Sequence, residues 1–174
     1  MIQNRRSIDP PPKVHRWIKK IIQKVPALVP EEGTRTYSLP IFTGGSVIYV
    51  SLSLLQANIS SNGDVLITGS VEGGAMLSAG VSLTGALQKW NTKDVDSLIG
   101  WYGVVGGSAG EGLVAGAEYD AFDSTGPRQP GGKVSSIQRS MGIGSGLPVE
   151  AHFGPGYTWP YLPKFNILST DLNK

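Results

Sequence analysis

Two histidines, thirteen carboxylates and no cysteine are the side chains of this chain that could ligate a metal or move a proton near neutral pH. His15 lies in a basic N-terminal stretch. His152 follows Glu150 by two residues, which places both on one face of a strand, so the pair could supply two metal ligands or a base and the group that orients it. No third ligand follows at a matching spacing. Glu111 is the remaining acid considered with them, and chemistry by Glu111, Glu150 and His152 would require all three to converge in one cleft. The ordinary reading, a polar pair on a strand, is favoured. No catalytic residue, metal site or cofactor is therefore assigned. The segment Gly103 to Gly112 has the glycine density of a phosphate-binding loop. It lacks the Lys-Ser/Thr that would complete one, and a strand-like run rather than a helix follows it, so a hairpin connection is expected.

A second constellation lies between Lys13 and Val25. Val14, Trp17, Ile18, Ile21, Ile22 and Val25 recur at steps of three and four, while Lys13, Arg16, Lys19, Lys20 and Lys24 occupy the other side, with no acidic residue between. Such a helix suits the interface of an anionic membrane, where apolar burial and charge attraction act together. The candidate membrane-binding residues are Lys13, Arg16, Trp17, Ile18, Lys19, Lys20, Ile21 and Lys24. The same pattern also suits a helix laid on a sheet with its cations in water. Nucleic acid is not an expected partner, because no exposed aromatics interleave with cations along the strands.

These residues need a scaffold, and the composition says which kind. The 174 residues include 24 Gly and 12 Pro, are 16% charged and 40% hydrophobic, and carry a formal net charge of +2. That is too apolar for a disordered chain and rich in turn formers. Seven of the fifteen Lys and Arg residues fall within the first 24 positions, so the basicity belongs to the N-terminal arm. Pro26 and Pro30 end the helix. Residues 1–36 are read as an extended arm with a basic amphipathic helix over 13–25, and residues 37–174 as a single-core β-domain. No run approaches the length of a membrane-spanning helix, and no signal peptide is recognised.

Beyond residue 36 the apolar period becomes two. From Asp64 to Trp90, Val65, Ile67, Val71, Leu77, Val81, Leu83 and Leu87 share one parity with several Gly and Ala. Thr68, Ser70, Glu72, Ser82, Thr84 and Gln88 share the other. Two strands are expected in this stretch, with Gly73-Gly74 marking a turn, bulge or bend. Asn62-Gly63 marks a tight hairpin. Trp101 to Val105 pairs with Leu113 to Phe122, Ser124 to Gly132 is a loop, and Val134 to Gly146 pairs with Val149 to Trp159 around Leu147-Pro148. The expected fold is all-β, a glycine-rich antiparallel meander of seven or eight strands forming an up-and-down barrel, with one N-terminal helix. Alternation leaves the direction of the apolar face open: a barrel in water turns it inward, and a membrane barrel turns it toward lipid.

Asp94 to Trp101 (DVDSLIGW), then Gly106 to Leu113 (GGSAGEGL), then Gly146 to His152 (GLPVEAH), with Tyr157-Thr158 beyond, resemble the glycine-rich C-terminal domains of bacterial Rhs-type, YD-repeat polymorphic toxins. The resemblance covers roughly residues 64 to 159, with Ala151 where that pattern has Gly. It implies a toxin-related bacterial protein, secreted or delivered by a dedicated secretion system. An immunity protein or the carrier toxin polypeptide would then be a partner, and an oligomer is allowed. The leading expectation is a membrane-active, pore-forming or lipid-perturbing toxin domain without catalytic chemistry. The alternative is a soluble β-barrel that binds a small ligand or a protein.

Overall fold

A computed structural model describes residues 12–77, 79–122, 134–146 and 149–168. The expected extended lead-in before residue 12, the loop at 124–132 and the 147–148 turn lie outside the described residues. Helix α1 is Pro12–Lys24, followed by a short 3-10 turn at Pro26–Leu28. Eight long strands follow: β1 (Thr34–Gly45), β2 (Ile48–Ser60), β3 (Asp64–Met76), β4 (Gly80–Trp90), β5 (Gly100–Ala109), β6 (Gly112–Phe122), β7 (Val134–Gly146) and β8 (Val149–Pro160). A two-residue strand, β9 (Phe165–Asn166), ends the described chain.

The eight strands close into an antiparallel barrel. Around the ring they run β1, β2, β3, β8, β5, β6, β7, β4 and back to β1, and β9 pairs with the start of β3. Each half of the ring thus reads 4-1-2-3 or 8-5-6-7, the strand order of a Greek key. The expected pairing of β7 with β8 does not occur: β7 lies between β4 and β6, and β8 between β3 and β5. Periodicity fixes which face a residue occupies but carries no information about which strand lies alongside.

Local chemistry explains the joints. At Asn62-Gly63 the expected hairpin forms, with Gly63 at φ +81, a backbone region that glycine enters without steric cost. Gly73-Gly74 is not a turn but lies inside β3, which continues to Met76, and β4 begins at Gly80. A Cβ on Gly74 would meet the Phe153 carbonyl oxygen at 2.1 Å, so this glycine permits close approach of β3 and β8. Gly74→Ala is expected to lower the unfolding free energy by about 1 to 3 kcal/mol. Urea titration measures it, and an unchanged midpoint would show that the two backbones part freely.

Two apolar clusters form, one on each side of the wall. Outside, Ile22 of α1, with Ile18, packs against Ile59, Val65, Phe165 and Ile167, so the helix docks on one end of the barrel. Inside, Tyr49, Met76, Trp90, Leu98, Tyr102 and Val104 form the second cluster. Leu98 reaches the lumen from the 3-10 turn Val95–Leu98 in the β4–β5 connection. Asp94 caps that turn through the Asp96 amide, 3.1 Å away. Lys164 Nζ, 2.6 Å from Asp96 Oδ2, ties it to the segment after β8, and this contact holds the Lys164 pKa above its ordinary value.

Candidate functional site

The parity left open by the sequence has a definite answer in the barrel. Thr68, Ser70, Thr84 and Gln88 are buried in the lumen, whereas Val71, Leu83 and Leu87 on the other parity are exposed on the outer wall. The pattern holds around the full circumference. Phe42, Val50, Val71 and Val81 stand exposed on β1 to β4, and Val105, Leu113, Ile143 and Phe153 on β5 to β8, at 38% to 69% exposure. Every strand contributes, and along β4 and β7 the only outward charges are the cations Lys89 and Arg139.

Inside, one relay of side chains satisfies itself across four strands. Trp90 Nε1 donates to Thr36 Oγ1 at 2.9 Å, Thr36 to Asn58 Oδ1 at 2.6 Å, and Asn58 Nδ2 to Thr68 Oγ1 at 2.9 Å. Thr68 then donates to Gln56 Oε1 at 3.0 Å, and Gln56 Nε2 to Ser70 Oγ at 3.1 Å. This chain of bonds spans β4, β1, β2 and β3. It replaces the water that these groups would otherwise require, because an unpaired buried polar group costs about 1 to 3 kcal/mol.

The charges cluster on β6 and β8, with Glu72 facing them from β3. His152 Nε2 lies 3.0 Å from Glu118 Oε2, and its Nδ1 lies 3.3 Å from Glu150 Oε1, close enough for an ion pair but off the hydrogen-bond angle. Gln138 Nε2 donates to Glu118 Oε1 at 3.1 Å, Tyr102 Oη to Glu72 Oε1 at 2.6 Å, and Gln88 Nε2 to Asp120 Oδ2. Four carboxylates, Glu72, Glu118, Asp120 and Glu150, therefore share the lumen. His152 is the only side chain among the described residues there that can carry a positive charge. The cavity beside them measures about 40 Å³. That accommodates a few water molecules and no organic substrate.

The sequence-derived candidates divide accordingly. Glu150 and His152 do meet. Glu111 is exposed at the turn between β5 and β6 and takes no part. Their actual partner is Glu118, a carboxylate that the sequence offers only as one of several possible acid pairs and does not join to His152. The available signal was its parity: Glu118 and Asp120 alternate with Ala117, Tyr119 and Ala121, as lumen residues must. In α1, Arg16, Lys20 and Lys24 are exposed, Ile18 and Ile21 are half-buried, and the side chains of Lys13 and Lys19 lie outside the described residues. Trp17, expected on the apolar face with Ile18, instead stands 66% exposed. Among the described residues, no group of three or more His, Asp or Glu side chains is placed to hold a metal ion. Compared with family models, curated proteins and solved structures, the chain matches none.

Proposed function

We propose that this chain is a membrane-embedded β-barrel, a membrane-active domain that works without catalytic chemistry, with its basic helix lying at one bilayer surface. The observation that carries this reading is the apolar wall on all eight strands around a polar lumen. In water such a belt is an aggregation liability, and a protein partner docking from one side would leave most of it wet. Lipid covers it from every direction. Strands of 10 to 13 residues match the length a tilted strand needs to cross a bilayer, about 9 to 11.

Charge placement supports one orientation. Arg16, Lys20, Lys24, Arg35, Lys89, Lys93 and Lys164 all belong to the end that carries α1, and the opposite end shows Val47, Leu77 and Leu113 exposed with Glu111 as its one exposed charge among the described residues. The end without cations enters the bilayer, and the cations and exposed Trp17 stay with the headgroups. With Trp90 and Leu98 in the lumen, the barrel is closed, so any conduction follows displacement of that plug. The toxin context given by the resemblance fits a domain of this type delivered to a target membrane.

The purified chain is expected to float with anionic liposomes on a density gradient and to remain with them through alkaline carbonate and 1 M salt washes, since burial rather than surface charge holds it (~3 Å Debye length at that salt). A chain that stays monomeric in buffer and elutes from vesicles with salt would overturn the proposal. It would favour instead the soluble barrel that binds a ligand or protein.

A further inference from the structure

The outer wall bears two cations at a place where the ladder should penalise them. Arg35 on β1 and Lys89 on β4 are direct partners in the antiparallel register. Like charges opposite one another destabilise a sheet unless something neutralises them. Among the described residues neither is ion-paired: Arg35 Nη1 donates to the Ala27 carbonyl at 2.8 Å and to Tyr37 Oη at 3.4 Å. The two cations line a cleft of about 730 Å³ between the wall and the segment after α1, and Glu31 and Glu32 line it with them.

The same two strands continue as a groove. Tyr37 and Leu87 form the next outward pair; the ladder then shifts register between Ser38 and Ile41, where Leu39 lies against Gly85. With Met141 they line a space of about 410 Å³. Leu39 lies over Gly85, where an added Cβ would meet its Cδ2 at 2.7 Å, so Leu39 itself forms the floor of the groove there. Arg139 adds a third cation to the groove wall. A charged cleft and a shallow apolar groove thus lie next to each other along the same two strands.

We infer that cleft and groove together bind one phospholipid with a phosphoethanolamine headgroup. The phosphate lies on Arg35 and Lys89, the primary ammonium faces Glu31 and Glu32, and an acyl chain lies along the groove lined by Leu39, Leu87 and Met141. Two cations beside two carboxylates match a zwitterion better than an anionic headgroup, and a quaternary choline lacks the N–H that a carboxylate accepts. The inference rests on the membrane reading above.

The test uses the full chain folded in maltoside micelles, with bound phosphatidylethanolamine, phosphatidylglycerol and phosphatidylcholine counted by native mass spectrometry, and with inorganic phosphate as the free-anion control. The wild type is expected to retain one phosphatidylethanolamine in preference to the others. Arg35→Gln with Lys89→Gln is expected to lower that retention about ten- to a hundredfold. That variant removes a like-charge pair, so it should fold, and flotation with vesicles checks that it does. Glu31→Gln with Glu32→Gln should shift preference toward phosphatidylglycerol. Equal retention by wild type and the Arg35/Lys89 variant, with both still floating, overturns the lipid site and leaves the membrane barrel standing. Inorganic phosphate that displaces the lipid at equal concentration overturns it in favour of a free-anion site. A wild-type chain that does not float overturns the membrane reading itself.

Discussion

Replacing Leu83 by arginine is expected to cost the protein its place in the bilayer. Leu83 faces outward near the middle of β4, directly opposite Phe42 on β1 and Ile143 on β7, and Ile143 in turn opposes Leu113 on β6. This apolar row has no charged member. Arginine on a lipid-facing strand near the midplane is unfavourable by about 2 to 4 kcal/mol, which corresponds to a thirty- to thousandfold loss of inserted barrel. Leu83→Arg should therefore fail to float with vesicles. Ser82→Thr, its inward neighbour, should insert normally. The sign separates the two readings, because in a water-soluble barrel a cation at the 39%-exposed Leu83 would be tolerated or would improve solubility. Equal insertion by wild type and Leu83→Arg would exclude lipid from this face.

His152→Ala is expected to have the largest effect on stability from within the lumen. The imidazole is 8% exposed, lies between Glu118 and Glu150, and stacks at a tilt 4.8 Å from the Tyr49 ring. Its removal leaves two carboxylates without their shared partner and a hole beside Tyr49. Breaking a buried pair by deleting one member costs about 3 to 5 kcal/mol, well above an ordinary surface substitution. Urea unfolding of the folded barrel, followed by tryptophan fluorescence, measures it. Glu118→Gln in the His152→Ala background should recover part of the loss, since it removes one of the stranded charges. Recovery of nothing would mean that His152 serves mainly as packing.

These two positions also show how far the sequence could be followed. The alternation of Val65 to Leu87 against Thr68 to Gln88 identified strands with one apolar and one Ser/Thr face. The spacing of Ile18, Ile21 and Ile22 identified the helix, Asn62-Gly63 identified its hairpin, and Glu150 and His152 were placed on one face. All of these are local, because side-chain period and turn chemistry depend on residues only a few positions apart. Glu118 is 34 residues from His152 in the chain and meets it only because β6, β5 and β8 lie side by side in the ring. The opposition of Arg35 and Lys89 across β1 and β4 is of the same kind.

Gly73-Gly74 shows the limit most clearly, since the same dipeptide serves a turn or a close strand contact, and only the neighbour, Phe153, decides which. The sequence by itself determined that the chain would form amphipathic strands and a basic amphipathic helix, because periodicity and propensity are properties of the chain. Tertiary structure alone decided which face looks inward. A period of two is symmetric under exchange of its faces, and the choice is made only when the eight strands close and the Ser, Thr, Gln, Asn, Glu and His side chains find partners across the lumen. That closure leaves the apolar face outside.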